Sequence, residues 1–95
     1  MTIENDALPG TLYGMVVDEQ GTTLPGAVLT LFGKPVPEVQ VSNAKGQFKF
    51  PDLPAGTYSL QAELEGFAPA DYPEVVINSG HTTDIEVTLS AATKT

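Results

Sequence analysis

Along most of this chain apolar residues recur at every second position, and Gly or Pro cuts the runs short. A period of two is the spacing of a strand with one buried face, whereas a helix would repeat its apolar positions every 3.6 residues. Nine glycines and eight prolines in 95 residues leave room for short strands and tight turns and for little else. The pattern predicts seven strands: residues 11–18, 27–32, 39–42, 47–50, 57–63, 75–77 and 84–89. Between them, Glu19-Gln20-Gly21 and Asn78-Ser79-Gly80 read as turns and Pro25-Gly26 as a break. Pro35 and Pro37 cannot donate to a ladder, so residues 33–38 are expected to be loop or edge. Asn43-Ala44-Lys45-Gly46 reads as a four-residue hairpin turn with Gly46 at a positive φ.

Seven short strands at this spacing imply an all-β, antiparallel β-sandwich with one core. The expected inward set runs from Leu12 and Val16 through Ala27, Leu29, Leu31, Val39, Val41, Phe48 and Phe50. It continues with Leu53 as an end plug, then Tyr58, Leu60, Ala62, Phe67, Val75, Ile77, Ile85, Val87 and Leu89. A chain of 95 residues that is 41% hydrophobic supports one such domain and is too apolar to be a disordered tail.

Charge narrows the partners. Four lysines, no arginine and twelve carboxylates give a net charge of −8. Nucleic acid and anionic membrane surfaces both need clustered cations, so neither is expected as a partner. No run reaches the ~18 apolar residues of a membrane helix, so membrane insertion is not expected either. Without cysteine there is no disulfide frame, thiolate site or thiol nucleophile. The acidic start, Met1 to Asp6, lacks the basic and apolar regions of a secretory signal. Residues 1–10 read as a flexible arm, 11–89 as the domain and 90–95 as a tail or linker, the arrangement of a domain within a larger protein.

Four ordered motifs carry a resemblance. They are Leu12-x-Gly14-x-Val16-x-Asp18 with Gly21-x-x-Leu24-Pro25-Gly26-Ala27-x-Leu29; Ser42-Asn43-Ala44-Lys45-Gly46-Gln47-Phe48-x-Phe50; Leu53-Pro54-Ala55-Gly56-Thr57-Tyr58-x-Leu60; and Gly66-Phe67. Together they resemble the carboxypeptidase regulatory-like domains, with Asn43 where that family usually has Asp. The resemblance implies a seven-stranded, Ig-like or transthyretin-like (prealbumin-like) sandwich of Greek-key topology. It further implies a non-catalytic module of a larger exported or cell-surface bacterial protein, extracellular or periplasmic, with a cytoplasmic home still open. Related transthyretin-like hydrolases use His and Arg side chains and end in Tyr-Arg-Gly-Ser; this chain has no Arg, a single His81 and ends Ala92-Thr93-Lys94-Thr95. Adhesin-type relatives join a first-strand Lys to a last-strand Asn, but Lys34, Lys45, Lys49 and Lys94 all lie elsewhere.

No catalytic residue, cofactor or metal is expected. His81 reads as a solvated hairpin tip, and a single His is far short of a zinc ligand set. Asp18, Glu19, Glu65, Asp71 and Glu74 could gather at one end of the sandwich, yet no Asp-x-Asp-x-Asp-Gly calcium run accompanies them. The partner-binding candidates are Tyr13, Met15, Val17, Val28 and Phe32, apolar residues expected to point outward from the first two strands, and Tyr72 in the loop 64–74. These assign the chain a non-enzymatic role: an interaction or spacer module, monomeric by itself, docking to a protein partner or neighbouring domain. The alternative is a carbohydrate-binding module using loop aromatics such as Tyr72.

Overall fold

The computed structural model describes residues 8–33 and 36–92. The expected arm (residues 1–10) and tail (residues 90–95) fall partly outside them, as do Lys34 and Pro35 of the proline loop. The described residues form seven strands and no helix: β1 (Gly10–Asp18), β2 (Val28–Phe32), β3 (Glu38–Val41), β4 (Gln47–Leu53), β5 (Gly56–Glu63), β6 (Ala70–Ile77) and β7 (Thr82–Leu89). They make two sheets, one of order β4-β1-β7 and one of order β3-β2-β5-β6. All neighbours run antiparallel except β1 and β7, the first and last strands, which lie parallel from Thr11↔Thr82 to Asp18↔Leu89. A purely antiparallel sandwich is thus corrected at one seam, where the first and last strands are zipped together.

The core lies between the sheets, with Leu12, Val16, Phe50, Val87 and Leu89 from one and Leu29, Leu31, Leu60 and Ile77 from the other. Leu53 is fully buried and plugs one end. Close packing in the smaller sheet requires a glycine at the centre of β1. A Cβ on Gly14 would come within 2.6 Å of the Ile85 carbonyl oxygen and would strike the Phe48 ring. Tyr58 closes an end of the sandwich, its hydroxyl donating to the Pro54 carbonyl at 2.6 Å.

The Asn43–Gly46 turn forms as its composition requires. Gly46 adopts φ 79°, and the Asn43 side-chain oxygen accepts from the amides of Lys45 and Gln47. The turn packs on the connection between β1 and β2: Val16 donates to Gly46 at 2.7 Å and Leu24 to Val16 at 2.8 Å. Ser90 and Ala92 continue past β7, accepting from Ala68 and donating to Gly66, so the 64–69 loop is tied to the segment that follows β7.

Two inward assignments are overturned. Val39 and Val41 are 57% and 56% exposed. Ser42 decides this. Its hydroxyl is buried because it accepts from the Ala27 amide at 2.8 Å and donates to the Leu24 carbonyl at 2.7 Å, beside Pro25. Side chains alternate along a strand, so an inward Ser42 turns Val41 and Val39 outward. The register agrees, with Val28↔Val41 and Thr30↔Val39 as partners on one outer face.

Candidate interaction surface

The candidate partner residues separate into two pairs and two single residues. Tyr13 and Met15 are half-buried on the outer face of the β4-β1-β7 sheet. The ladders place Tyr13 between Lys49 and Asp84, and Met15 between Gln47 and Glu86, so both are flanked by polar side chains. Val28 and Phe32 lie on the outer face of the other sheet at 38% and 40% exposure. β1 and β2 belong to different sheets, so the five residues of the first two strands do not share a patch.

Val17 is a correction. It was expected to face water and is 5% exposed. The connection after β1 folds back over it: Asp18 donates to Thr22, and Val17 bridges to Thr23. The Asp18 carboxylate holds this turn by accepting from the amides of Gln20 and Thr22. Tyr72 lies within β6 rather than in a loop, because the strand begins at Ala70. It packs half-buried against the core, and its hydroxyl accepts from the Thr88 amide at 3.1 Å, stitching β6 to β7 across the two sheets. Beside it runs an open groove of about 480 Å³ lined by Tyr72, Pro73, Glu74, Val76, Asp84 and Ile85.

What alternation along the sequence missed is the partner strip that β3 supplies. Val28, Thr30 and Phe32 of β2 stand beside Val41 and Val39 of β3 on one face, and the four large apolar members are each 38–57% exposed. A pattern such as Glu38-Val39-Gln40-Val41 is equally regular whichever face is buried, and only the Ser42 clip breaks the tie. Across β2 from Val41 the strip is bordered by Glu63, the β5 partner of Val28.

The rest of the surface offers little chemistry. Among the described residues no three His, Asp or Glu side chains come together as a metal site. Glu19 instead accepts the Ser90 hydroxyl at 2.7 Å. No buried side-chain nitrogen or oxygen among them lacks a hydrogen-bond partner, so none is aimed at an absent ligand. His81 is exposed in the turn before β7, where its backbone links Asn78 and Thr11.

A two-sheet sandwich with turn-rich ends and an apolar outer strip defines a β-sandwich module. The sequence pattern of the carboxypeptidase regulatory-like domain matches residues 11–90, and the chain belongs to that family. Among curated proteins none matches it in sequence. Solved structures share its fold at low identity. The minor pilin of Streptococcus agalactiae is 17% identical with a TM-score of 0.73, the match covering 93% of this chain and 47% of the pilin. A proposed carbohydrate-binding protein of Bacteroides uniformis is 17% identical with a TM-score of 0.71, over 86% of this chain and 41% of that one. A hydroxyquinol 1,2-dioxygenase of Pseudomonas putida is 11% identical with a TM-score of 0.73, over 92% and 58%. The chain thus spans about half of each, and the fold is common to a pilin, a proposed carbohydrate-binding protein and a dioxygenase. No helix among the described residues is long and apolar enough to cross a membrane.

Proposed function

We propose that this domain is a non-enzymatic interaction or spacer module, an accessory part of a larger exported or cell-surface bacterial protein that docks to a neighbouring domain or partner protein. The observation that carries this reading is the strip of Val28, Phe32, Val39 and Val41, a contiguous apolar area on an otherwise acidic molecule. Contiguous apolar surface marks interfaces, whereas isolated exposed side chains do not. Membership in a regulatory-like family supports a role without catalysis, and the pilin likeness supports a surface location. Tyr13 and Met15, on the opposite sheet, are retained as a smaller second contact. Hydrogen exchange in the isolated domain and in the full natural protein that carries it tests the reading. The amides of β2 and β3 exchange more slowly in the full protein, and the difference disappears with Phe32→Glu. Equal exchange in both contexts overturns it.

The groove beside Tyr72 favours a second reading, carbohydrate binding. Sugars are held by stacking on an aromatic face and by hydrogen bonds to nearby carboxylates, and here Tyr72 and Pro73 stand beside Glu74 and Asp84. Binding on a glycan array that is lost with Tyr72→Ala supports it, and an array without signal excludes it.

A further inference from the structure

The parallel ladder between β1 and β7 runs without a register shift from Thr11↔Thr82 to Asp18↔Leu89. No other ladder among the described residues is as long. Thr11 donates its amide to the His81 carbonyl at 3.0 Å, whereas Thr88 gives its amide to the Tyr72 hydroxyl on the far side of β7. Peptide groups alternate in direction along a strand, so Thr83, Ile85, Val87 and Leu89 turn theirs toward β1. Residues just outside both strands pin the ladder at each end. Before it, the Ser79 hydroxyl donates to the Leu8 carbonyl at 2.9 Å. After it, the Ser90 hydroxyl donates to the Glu19 carboxylate at 2.7 Å. The far side of β7 is stitched to β6, where the Thr83 hydroxyl donates to the Val76 carbonyl at 3.0 Å and Tyr72 receives the Thr88 amide. β1 is held on its other side by β4, from Gly10↔Leu53 to Met15↔Gln47.

We propose that the β1–β7 ladder is a mechanical clamp, and that a further function of this domain is to carry tension within its parent protein without unfolding. Parallel strands place the entry of β1 and the exit of β7 at opposite ends of the ladder. Tension across the domain therefore pulls Gly10 and Leu89 apart along the strand axis. Ladder bonds run across the strands, so this load shears all of them at once. An antiparallel pair pulled from two neighbouring ends instead opens one bond at a time. Neither strand escapes by peeling. β1 slides out only by breaking its bonds to β4 and β7 together. β7 slides out only by breaking the ladder, both stitches to β6 and both end pins. The inference rests on the spacer half of the reading above and gives the spacer a physical task.

Single-molecule pulling in two directions tests the clamp. In the first, handles are fused to the two ends of the 95-residue chain, and the ladder is sheared. In the second, one handle stays at the amino end and the other is attached through Ala55→Cys, an exposed site in a chain without cysteine. Gly10 and Leu53 are partners at one end of their ladder, so this direction peels β4 from β1. Folding free energy does not depend on the direction of pulling, whereas forced unfolding follows the unfolding barrier. The end-to-end direction is expected to need severalfold more force at the same pulling speed. Ile85→Pro takes a donor out of the ladder and lowers that force, while Glu86→Pro, whose amide faces away from β1, keeps it. Equal forces in the two directions overturn the clamp, and so does an equal loss with both prolines. If Ile85→Pro does not fold, the two directions still decide. With equal forces but slower β2 and β3 exchange in the full natural protein, the clamp is wrong and docking stands. With unequal forces and no such slowing, docking is wrong and the clamp stands.

Discussion

The two sheets of this sandwich are built from the same alternating pattern but manage their outer faces differently. In the β4-β1-β7 sheet, β1 is enclosed on both sides, and its outward Tyr13 and Met15 stand between polar neighbours on β4 and β7. In the β3-β2-β5-β6 sheet the outward residues of β2 meet valines on a strand that ends the sheet. The difference is one of neighbours, since β1 and β2 each have a strand on both sides. The outward residues of β1 meet Lys49, Gln47, Asp84 and Glu86, whereas those of β2 meet Val39 and Val41 on one side. The sheet carrying the apolar strip also lacks any basic residue in its strands, so one side of the molecule combines apolar surface with negative charge.

Two phenylalanines test that contrast most strongly. Phe50 of β4 is fully buried, and Phe32 of β2 is 40% exposed. Phe50→Ala is expected to cost ~3–5 kcal/mol through lost burial and a cavity, and Phe32→Ala less than about 1 kcal/mol. Urea unfolding of both variants gives the comparison. Equal costs would mean that Phe32 belongs to the core and the strip is not a surface.

The parity of β3 is the next target. Ser42→Ala leaves the Ala27 amide and the Leu24 carbonyl without their side-chain partner, a loss expected at ~1–3 kcal/mol. The loss should come with faster exchange in β2 and β3 and little change in β1 and β7. A uniform change over both sheets would show that the clip does not act locally. Smallest is the effect at the seam. Tyr72→Phe removes the acceptor for the Thr88 amide at a cost of ~0.5–1.5 kcal/mol, read as faster exchange of that amide while the rest of β7 keeps its protection.

Much of the fold was legible before any coordinates. The Asn43–Gly46 turn announces itself because a positive φ and a side-chain oxygen that can bond its own backbone are local needs met by local residues. Phe48 and Phe50 point inward as their alternation requires. The candidate site was legible only in part: Val28 and Phe32 are exposed as expected, Val17 is covered by the turn that follows it, and Tyr72 is a stitch between sheets.

By itself the sequence determined the number of strands, the main turns, most of the core and the family, because each depends on residue type and spacing along a few neighbouring positions. The tertiary structure decided which strands share a sheet, that the first and last run parallel, and which face of β3 meets water. Those outcomes depend on contacts between distant residues. A hydroxyl at Ser42 that satisfies the backbone at Leu24 and Ala27 fixes the facing of Val39 and Val41, and no period within four residues of alternating sequence carries that information.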